Sequence, residues 1–200
     1  MKTFYKEDPF GKELFDKIYS VCIEADSGFN DLQYTKRFGR YDTLVEWDPD
    51  TEKKILELAR KEFGEEDLEI TYNQVTRYQI VGEYNPRLFM HVDTLPATHT
   101  IDVCLDTTVP EWGLRVLDKE TQQETLFKDK KGSAVFLKGD IDEHGRDEYP
   151  SKDPSDYCKM LFINLAPSNH WAVIAKKTLP SEMIKSKYYP ISVDGSLTQP

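Results

Sequence analysis

A change of hydrophobic period at about residue 68 constrains this chain more than any other feature. Before it, apolar residues recur at helical spacing. After it, short runs rich in β-branched and aromatic residues follow one another, each closed by turn chemistry. The runs are Leu68–Tyr72, Val75–Val81, Leu88–Val92, Thr98–Leu105, Leu114–Leu117, Thr125–Phe127, Ala134–Leu137, Cys158–Leu165 and Ala172–Ala175. Gly82, Asn85-Pro86, Lys131-Gly132 and Asp153-Pro154 punctuate them. Roughly eight short strands after two helices predict a mainly β chain with flanking α, an antiparallel barrel or jelly roll with helices against one sheet.

Asp8-Pro9 reads as the start of the first helix, because Asp caps well and Pro at the first helical position loses no needed hydrogen bond. Phe10, Leu14, Phe15, Ile18, Val21 and Cys22 then share one face. Asp48-Pro49 repeats the same opening; Ile55, Leu58, Ala59 and Phe63 form its stripe and Gly64 its stop. The expectation is one domain over residues 1–200, with helical support to about 66 and a barrel over about 67–177. The tail from Tyr188 to Pro200 reads as loop.

The 200 residues carry a net charge of −10, which repels phosphate backbones and makes nucleic acid a poor partner. No apolar run reaches the ~20 residues that span a bilayer, and acidic residues follow the amino terminus before a signal-peptide core could form. The three cysteines, Cys22, Cys104 and Cys158, are odd in number and lack a Cys-x-x-Cys pair, which predicts neither disulfides nor a zinc knuckle. A cytoplasmic location fits that usage.

His91-Val92-Asp93 is the candidate chemistry. On a strand, residues two apart point to the same face, so one short segment can offer an imidazole and a carboxylate to one metal ion. Two histidines and one carboxylate leave coordination positions open, the arrangement of non-heme Fe(II) oxygenases. With four histidines in the chain, chance yields roughly 0.4 such triplets, so position has to decide.

The segment from Tyr78 through Gly82 to His91-Val-Asp93 resembles the entry to the catalytic barrel of prolyl-hydroxylase-like Fe(II)/2-oxoglutarate oxygenases. Thr100–Leu105, Leu114–Leu117 and Gly132–Leu137 resemble the strands that follow in that family, and His144 falls where the second metal histidine is expected. The resemblance covers about residues 75–165 and lies in the order of elements. It implies a double-stranded β-helix (jelly roll) and an Fe(II) ion held by His91, Asp93 and His144, with His170 in reserve for the third ligand. It further implies 2-oxoglutarate as cosubstrate and O2 as oxidant.

By the same resemblance, Lys159 would anchor the far carboxylate of 2-oxoglutarate, with Arg115 as the alternative and Tyr78 adding a hydroxyl. The family more often carries Arg at that place, and Lys offers a point charge in place of a fork. Asp102 should share the barrel-facing side with Thr100 and Cys104, where it would meet Lys159 or a cationic substrate. His99, on the opposite face, should pack. The acidic run Asp140 to Glu148 beside the metal would favour a cationic substrate, whereas Lys36, Arg37 and Arg40 in Tyr34–Tyr41 would contact an anionic one.

The activity implied is hydroxylation of a C–H bond in an amino-acid, peptidyl (prolyl-type) or other small-molecule substrate, with release of succinate and CO2. An intact Asp93 argues against halogenation. A nucleic-acid demethylase of the AlkB kind would carry two arginines six apart on the late strand; after Lys159 stands Met-Leu-Phe-Ile-Asn-Leu. The reading from another class is a cupin-like metal-binding or sugar-handling barrel, favoured if Lys159 points away from the metal.

Overall fold

The computed structural model describes residues 2–30, 33–93 and 97–178; the tail read above as loop lies outside them. In chain order the elements are β1 (Phe4–Lys6), α1 (Gly11–Ser27), β2 (Tyr34–Thr35), β3 (Arg40–Val45), α2 (Pro49–Phe63), β4 (Leu68–Gln79), β5 (Leu88–His91), β6 (His99–Thr107), β7 (Gly113–Asp118), β8 (Gln123–Lys128), β9 (Ala134–Leu137), β10 (Glu143–Arg146), β11 (Tyr157–Pro167) and α3 (Trp171–Thr178).

The strands form two antiparallel sheets. The larger has the order β1-β9-β6-β11-β4-β3-β2 and the smaller β5-β10-β7-β8. Apart from the β7–β8 hairpin, consecutive strands therefore alternate between sheets from β4 to β11, the winding expected of a jelly roll. The main core lies between the larger sheet and the two long helices. Ile18 and Cys22 of α1 and Ile55, Ala59 and Phe63 of α2 pack there on Val75, Ile101, Val103, Leu161 and Ile163. A buried side chain of this size stabilises by about 1.5–3 kcal/mol. All three cysteines are buried and free.

The second helix starts and stops as its sequence predicts. The Asp48 side chain accepts from the N–H groups of Asp50 and Thr51 at 3.0 and 3.1 Å, and Gly64 ends the helix at φ 67°. The first does not. Asp8 caps nothing; Phe10 holds the N-cap place without a side-chain cap, and Gly11 takes φ +65°. That left-handed residue breaks any helix begun at Pro9, so α1 starts late.

Three stretches differ from their sequence reading. Leu68–Tyr72 and Val75–Val81 are one strand, because Leu165 pairs with Ile70 while Asn164 pairs with Tyr72. The extra residue, Thr71, is a bulge that flips the facing of everything after it, so the apolar alternation is interrupted within continuous pairing. Leu68 and Ile70, then Val75, face the helices; Tyr72 and Gln74 line a cavity on the other side. Ala172–Ala175 is helical within α3, since a four-residue apolar run has too little length to show its period. The stretch before residue 66, read as helical support, also contributes β1, β2 and β3.

Candidate metal centre

His91 closes β5, Asp93 follows two residues on, and His144 lies on β10 with its register directly opposite His91. Strand pairing thus brings the two imidazoles together, their ring centroids 4.5 Å apart. Nδ1 of His91 lies 2.8 Å from the Phe89 carbonyl, and Nδ1 of His144 lies 2.8 Å from that of Asp142. A carbonyl oxygen only accepts, so each Nδ1 carries the proton and each Nε2 presents its lone pair. Both Nε2 atoms stand 3.6 Å from Asp93 Oδ1. The ligand atoms of the three residues all fall within 4.8 Å of one another, and no other such group occurs among the described residues.

Asp93 is held from two sides. Its Oδ2 accepts from the Thr100 hydroxyl at 2.9 Å, and its N–H donates to the Gly139 carbonyl at 2.6 Å. Gly139 must be glycine: a Cβ there would sit 2.1 Å from Asp93 Oδ2. Burial would push the Asp93 carboxyl up, but His144 and His91, protonated on Nε2 when no cation is bound, and the Thr100 hydroxyl hold it well below its usual value. The carboxylate is therefore ionised at neutral pH. Gly145 serves β10 in the same way, because a Cβ there would meet the Leu88 carbonyl oxygen at 2.7 Å.

The three residues stand in the wall of a cavity of about 430 Å³ between the sheets. Leu114, Leu137 and Phe162 give it apolar surface, and Arg40, Asp102 and Asn164 give it polar groups. Thr100 and Asp102 face inward together and Cys104 joins the inner cluster deeper along β6, as the strand reading required.

The other expected residues lie elsewhere. Lys159 does not reach the metal: its ammonium pairs with Asp26 of α1 at 2.8 Å. Its register neighbours are Arg77 and Asp106, and Arg77 also pairs with Asp26, at 3.3 Å. Odd-numbered residues of β11 face the helices; Cys158, Met160 and Phe162 face inward. Lys159 as cosubstrate anchor is thereby corrected, and the reason is strand parity. Arg115 points outward to Asp147 and Glu124. His170 sits before α3, its Nδ1 accepting from the Ala172 N–H, outside the metal group. His99 packs edge-on against Phe63 and bonds Glu65, as expected of it. Tyr78 is fully buried and acts through a neighbour, its hydroxyl accepting from Arg40 Nη1 at 3.1 Å.

Two cations lie inside the barrel. Arg40, expected only as a contact for an anionic substrate, lies on β3 and lines the metal cavity, its Nε–H donating to Asp42 at 3.0 Å; Arg146 was not singled out. Arg146 is fully buried two residues beyond His144, donating to Asp129 at 2.5 Å and Asp102 at 3.0 Å. Reading Glu143–Arg146 as a strand would have placed Arg146 on the His144 side. Asp102 keeps one buried oxygen, Oδ1, without a hydrogen-bond partner. Burial pushes its carboxyl up to about 6, with Arg146 opposing. The acidic run is turned away from the cavity: Asp142 accepts from Thr3, Asp147 from Arg115, and Glu148 from Asn85.

No protein-family model matches this sequence, and no curated protein matches it. Solved structures do. The viral collagen prolyl hydroxylase of Paramecium bursaria Chlorella virus-1, in its 2-oxoglutarate complex, superposes with a TM-score of 0.53 at 14% identity, over 82% of this chain and 95% of that one. This chain has the fold of the Fe(II)/2-oxoglutarate oxygenases. The non-heme α-ketoglutarate-dependent epimerase SnoN, solved with Fe3+ and α-ketoglutarate, gives 0.61 at 11% identity over 90% and 86%. A 2-oxoglutarate-Fe(II) oxygenase-family protein from Burkholderia pseudomallei gives 0.56 at 12% over 86% and 87%. The jelly roll expected from the sequence is therefore the fold found.

Proposed function

We propose that this protein is an Fe(II)- and 2-oxoglutarate-dependent oxygenase that hydroxylates a C–H bond of a small-molecule or peptide substrate. One observation carries the reading: both histidines are locked as Nδ1–H tautomers, aiming two Nε2 lone pairs at the Asp93 carboxylate at the wall of a cavity. Carbonyl-fixed imidazoles with an ionised carboxylate suit a divalent metal, and three ligands leave positions for other oxygens.

His91, Asp93 and His144 would hold Fe(II). Bound there, Fe(II) with 2-oxoglutarate and O2 supplies the oxidant, and 2-oxoglutarate leaves as succinate and CO2. The chain's own residues orient and shield. Thr100 donates to Asp93 Oδ2, which leaves Oδ1 on the histidine side. Leu114, Leu137 and Phe162 keep the cavity wall dry. Arg40 replaces Lys159 as the cation for the far carboxylate: Asp42 and Tyr78 engage two of its five N–H donors. Asp42 in turn accepts from Gln74 and Thr76, which shares out its charge and fixes the guanidinium. Tyr78 is then a positioning residue.

The cupin-like reading, a metal-binding barrel without 2-oxoglutarate chemistry, draws support from two observations. Lys159 faces the helices, and Asp102 puts a carboxylate into the cavity. Anaerobic titration separates the two. With Fe(II) bound, 2-oxoglutarate should produce a weak visible charge-transfer band, and succinate should form in air. Metal binding with neither signal would establish the cupin-like reading. His91→Ala should abolish both signals, whereas Arg40→Ala should keep the metal and weaken 2-oxoglutarate affinity.

A further inference from the structure

The outer end of the metal cavity is built from two turns bolted together. The Arg87 N–H donates to the Phe38 carbonyl at 3.2 Å, and the Gln79 N–H to that of Gly39 at 3.2 Å. Gly39, at φ +61°, lies so close to Pro86 that a Cβ would stand 2.6 Å from its Cα. No other residue allows that approach. Arg37 and Phe89 line both the metal cavity and an adjoining cleft of about 420 Å³, whose further walls include Lys36, Tyr84 and Arg87. The two spaces adjoin at Arg37 and Phe89, and the inner one reaches the metal ligands.

Charge at this rim runs against the rest of the molecule. Elsewhere Lys2, Lys6, Lys12, Lys130 and Lys138 each end on a carboxylate. The rim cations rest instead on rings: Lys36 over Tyr84 at 5.3 Å, Arg37 over Phe38 at 5.3 Å and Arg87 over Phe89 at 4.1 Å. A ring face orients a guanidinium without neutralising it, and leaves its in-plane donors free for a two-oxygen acceptor. Of the two acids in the cleft, Glu148 is taken by Asn85 and Lys152. In a chain of net charge −10, Lys36, Arg37 and Arg87 outnumber the two acids of this cleft, Glu83 and Glu148, and stand in contact with rings, which makes the mouth locally positive.

We propose that this rim is the substrate's anchoring subsite, and that the substrate is a small organic acid. Its carboxylate or phosphate sits between Arg37 and Arg87, its apolar body lies along Phe38 and Phe89, and the carbon to be oxidised reaches the metal ligands. The proposal rests on the oxygenase reading for what happens at the metal; binding at the rim does not depend on it. A polyanion fits poorly, because Glu83 and Glu148 wall the same cleft. A cationic substrate is disfavoured, since the only member of the acidic run in this cleft, Glu148, is engaged by Asn85 and Lys152, and Asp102 is already paired with Arg146.

The test compares 3-phenylpropionate, its neutral amide and phenyl phosphate as probes of the metal-loaded wild type, by ligand-observed NMR titration. The acids should bind at least about tenfold tighter than the amide, the change one charge-assisted hydrogen bond makes, and rising salt should erase the difference. Arg37→Ala/Arg87→Ala should remove the preference with an unchanged Tm, since both side chains are exposed. Arg37→Lys/Arg87→Lys should restore part of it. Which acid binds better tells carboxylate from phosphate. No acid preference in the wild type, or one that survives the double Ala variant, would overturn the proposal. So would a single-stranded oligonucleotide that binds through these arginines more tightly than phenyl phosphate does. Retained acid binding without succinate formation would instead refute the oxygenase reading and leave the rim assignment standing.

Discussion

Gly139→Ala isolates the geometry of the metal centre from the stability of the fold. Gly139 is buried, and its φ lies outside the left-handed region, so Ala meets no backbone strain. The new Cβ would stand 2.1 Å from Asp93 Oδ2, whereas ordinary contact begins at 3.4 Å. The carboxylate must give way by the difference, 3.4 − 2.1 = 1.3 Å. It can do so, because Asp93 is 24% exposed and swings outward more cheaply than the Gly139 backbone moves. Metal ligation tolerates errors of about 0.2 Å, so this shift removes one ligand of three. Loss of a supporting contact alone lowers metal affinity by about 10–100-fold; displacement of the ligand itself should reach the upper end or beyond.

Anaerobic titration with Fe(II), or with Co(II) followed by its visible bands, measures the affinity. The melting temperature without metal should stay close to wild type, because the restriction of the unfolded chain by Ala, about 0.4–1 kcal/mol, offsets loss of the Thr100 hydrogen bond to Asp93. Affinity thus falls while stability barely moves. Asp93→Ala should lose as much affinity, and the double variant should lose no more than either single one, because both act through one carboxylate. Wild-type metal affinity in Gly139→Ala, or additive losses in the double variant, would refute the reasoning.

Lys159→Ala should leave 2-oxoglutarate affinity unchanged and reduce stability by about 1–2 kcal/mol in urea denaturation, because Asp26 keeps Arg77. Arg146→Met should cost about 3–5 kcal/mol, since it strands two buried carboxylates, Asp102 and Asp129. The Asp102 carboxyl is pushed up to about 6, so the native state binds the extra proton between roughly pH 4 and 6. This group's stabilising contribution therefore falls as pH rises through that window. The stability of Asp102→Asn relative to wild type, measured by denaturation at each pH, should rise over the same interval; a flat difference would contradict it. Asp48→Ala should lose about 1 kcal/mol with the N-cap of α2.

How much of this was legible follows from which forces each element depends on. β6 showed itself by its alternation and β9 by a continuous apolar run, because burial decides the sides of both. Two of the strands that escaped, β3 and β10, have inward faces made of ions. Arg40 and Asp42 on β3, and His144 and Arg146 on β10, point into the barrel where an apolar residue is expected. Their interior places are held by pairing and by the proposed metal, and no hydropathy period records that. The His91, Asp93 and His144 convergence was legible because spacing on one strand and element order suffice for it. Lys159 was not, since choosing its face required the parity of β11 to be counted from inward Phe162.

The same parity fixes where a deep anionic ligand could be held. With Cys158, Met160 and Phe162 filling the inward side of β11, the late strand has no cation to offer the cavity. The inner charges come instead from β3, through Arg40, and from β10, through Arg146, and these are not equivalent. Arg146 is enclosed by two aspartates and the rings of Trp112 and Tyr78. Moving it would uncover buried carboxylates, so it is a structural ion that sets the depth of the cavity. Arg40 shares one aspartate with Gln74 and Thr76 and faces open space. A ligand carboxylate can therefore approach Arg40 without breaking a buried pair. If 2-oxoglutarate binds, Arg40→Ala must weaken it while Arg146→Met lowers stability first; equal effects of the two on both quantities would mean that neither cation anchors it.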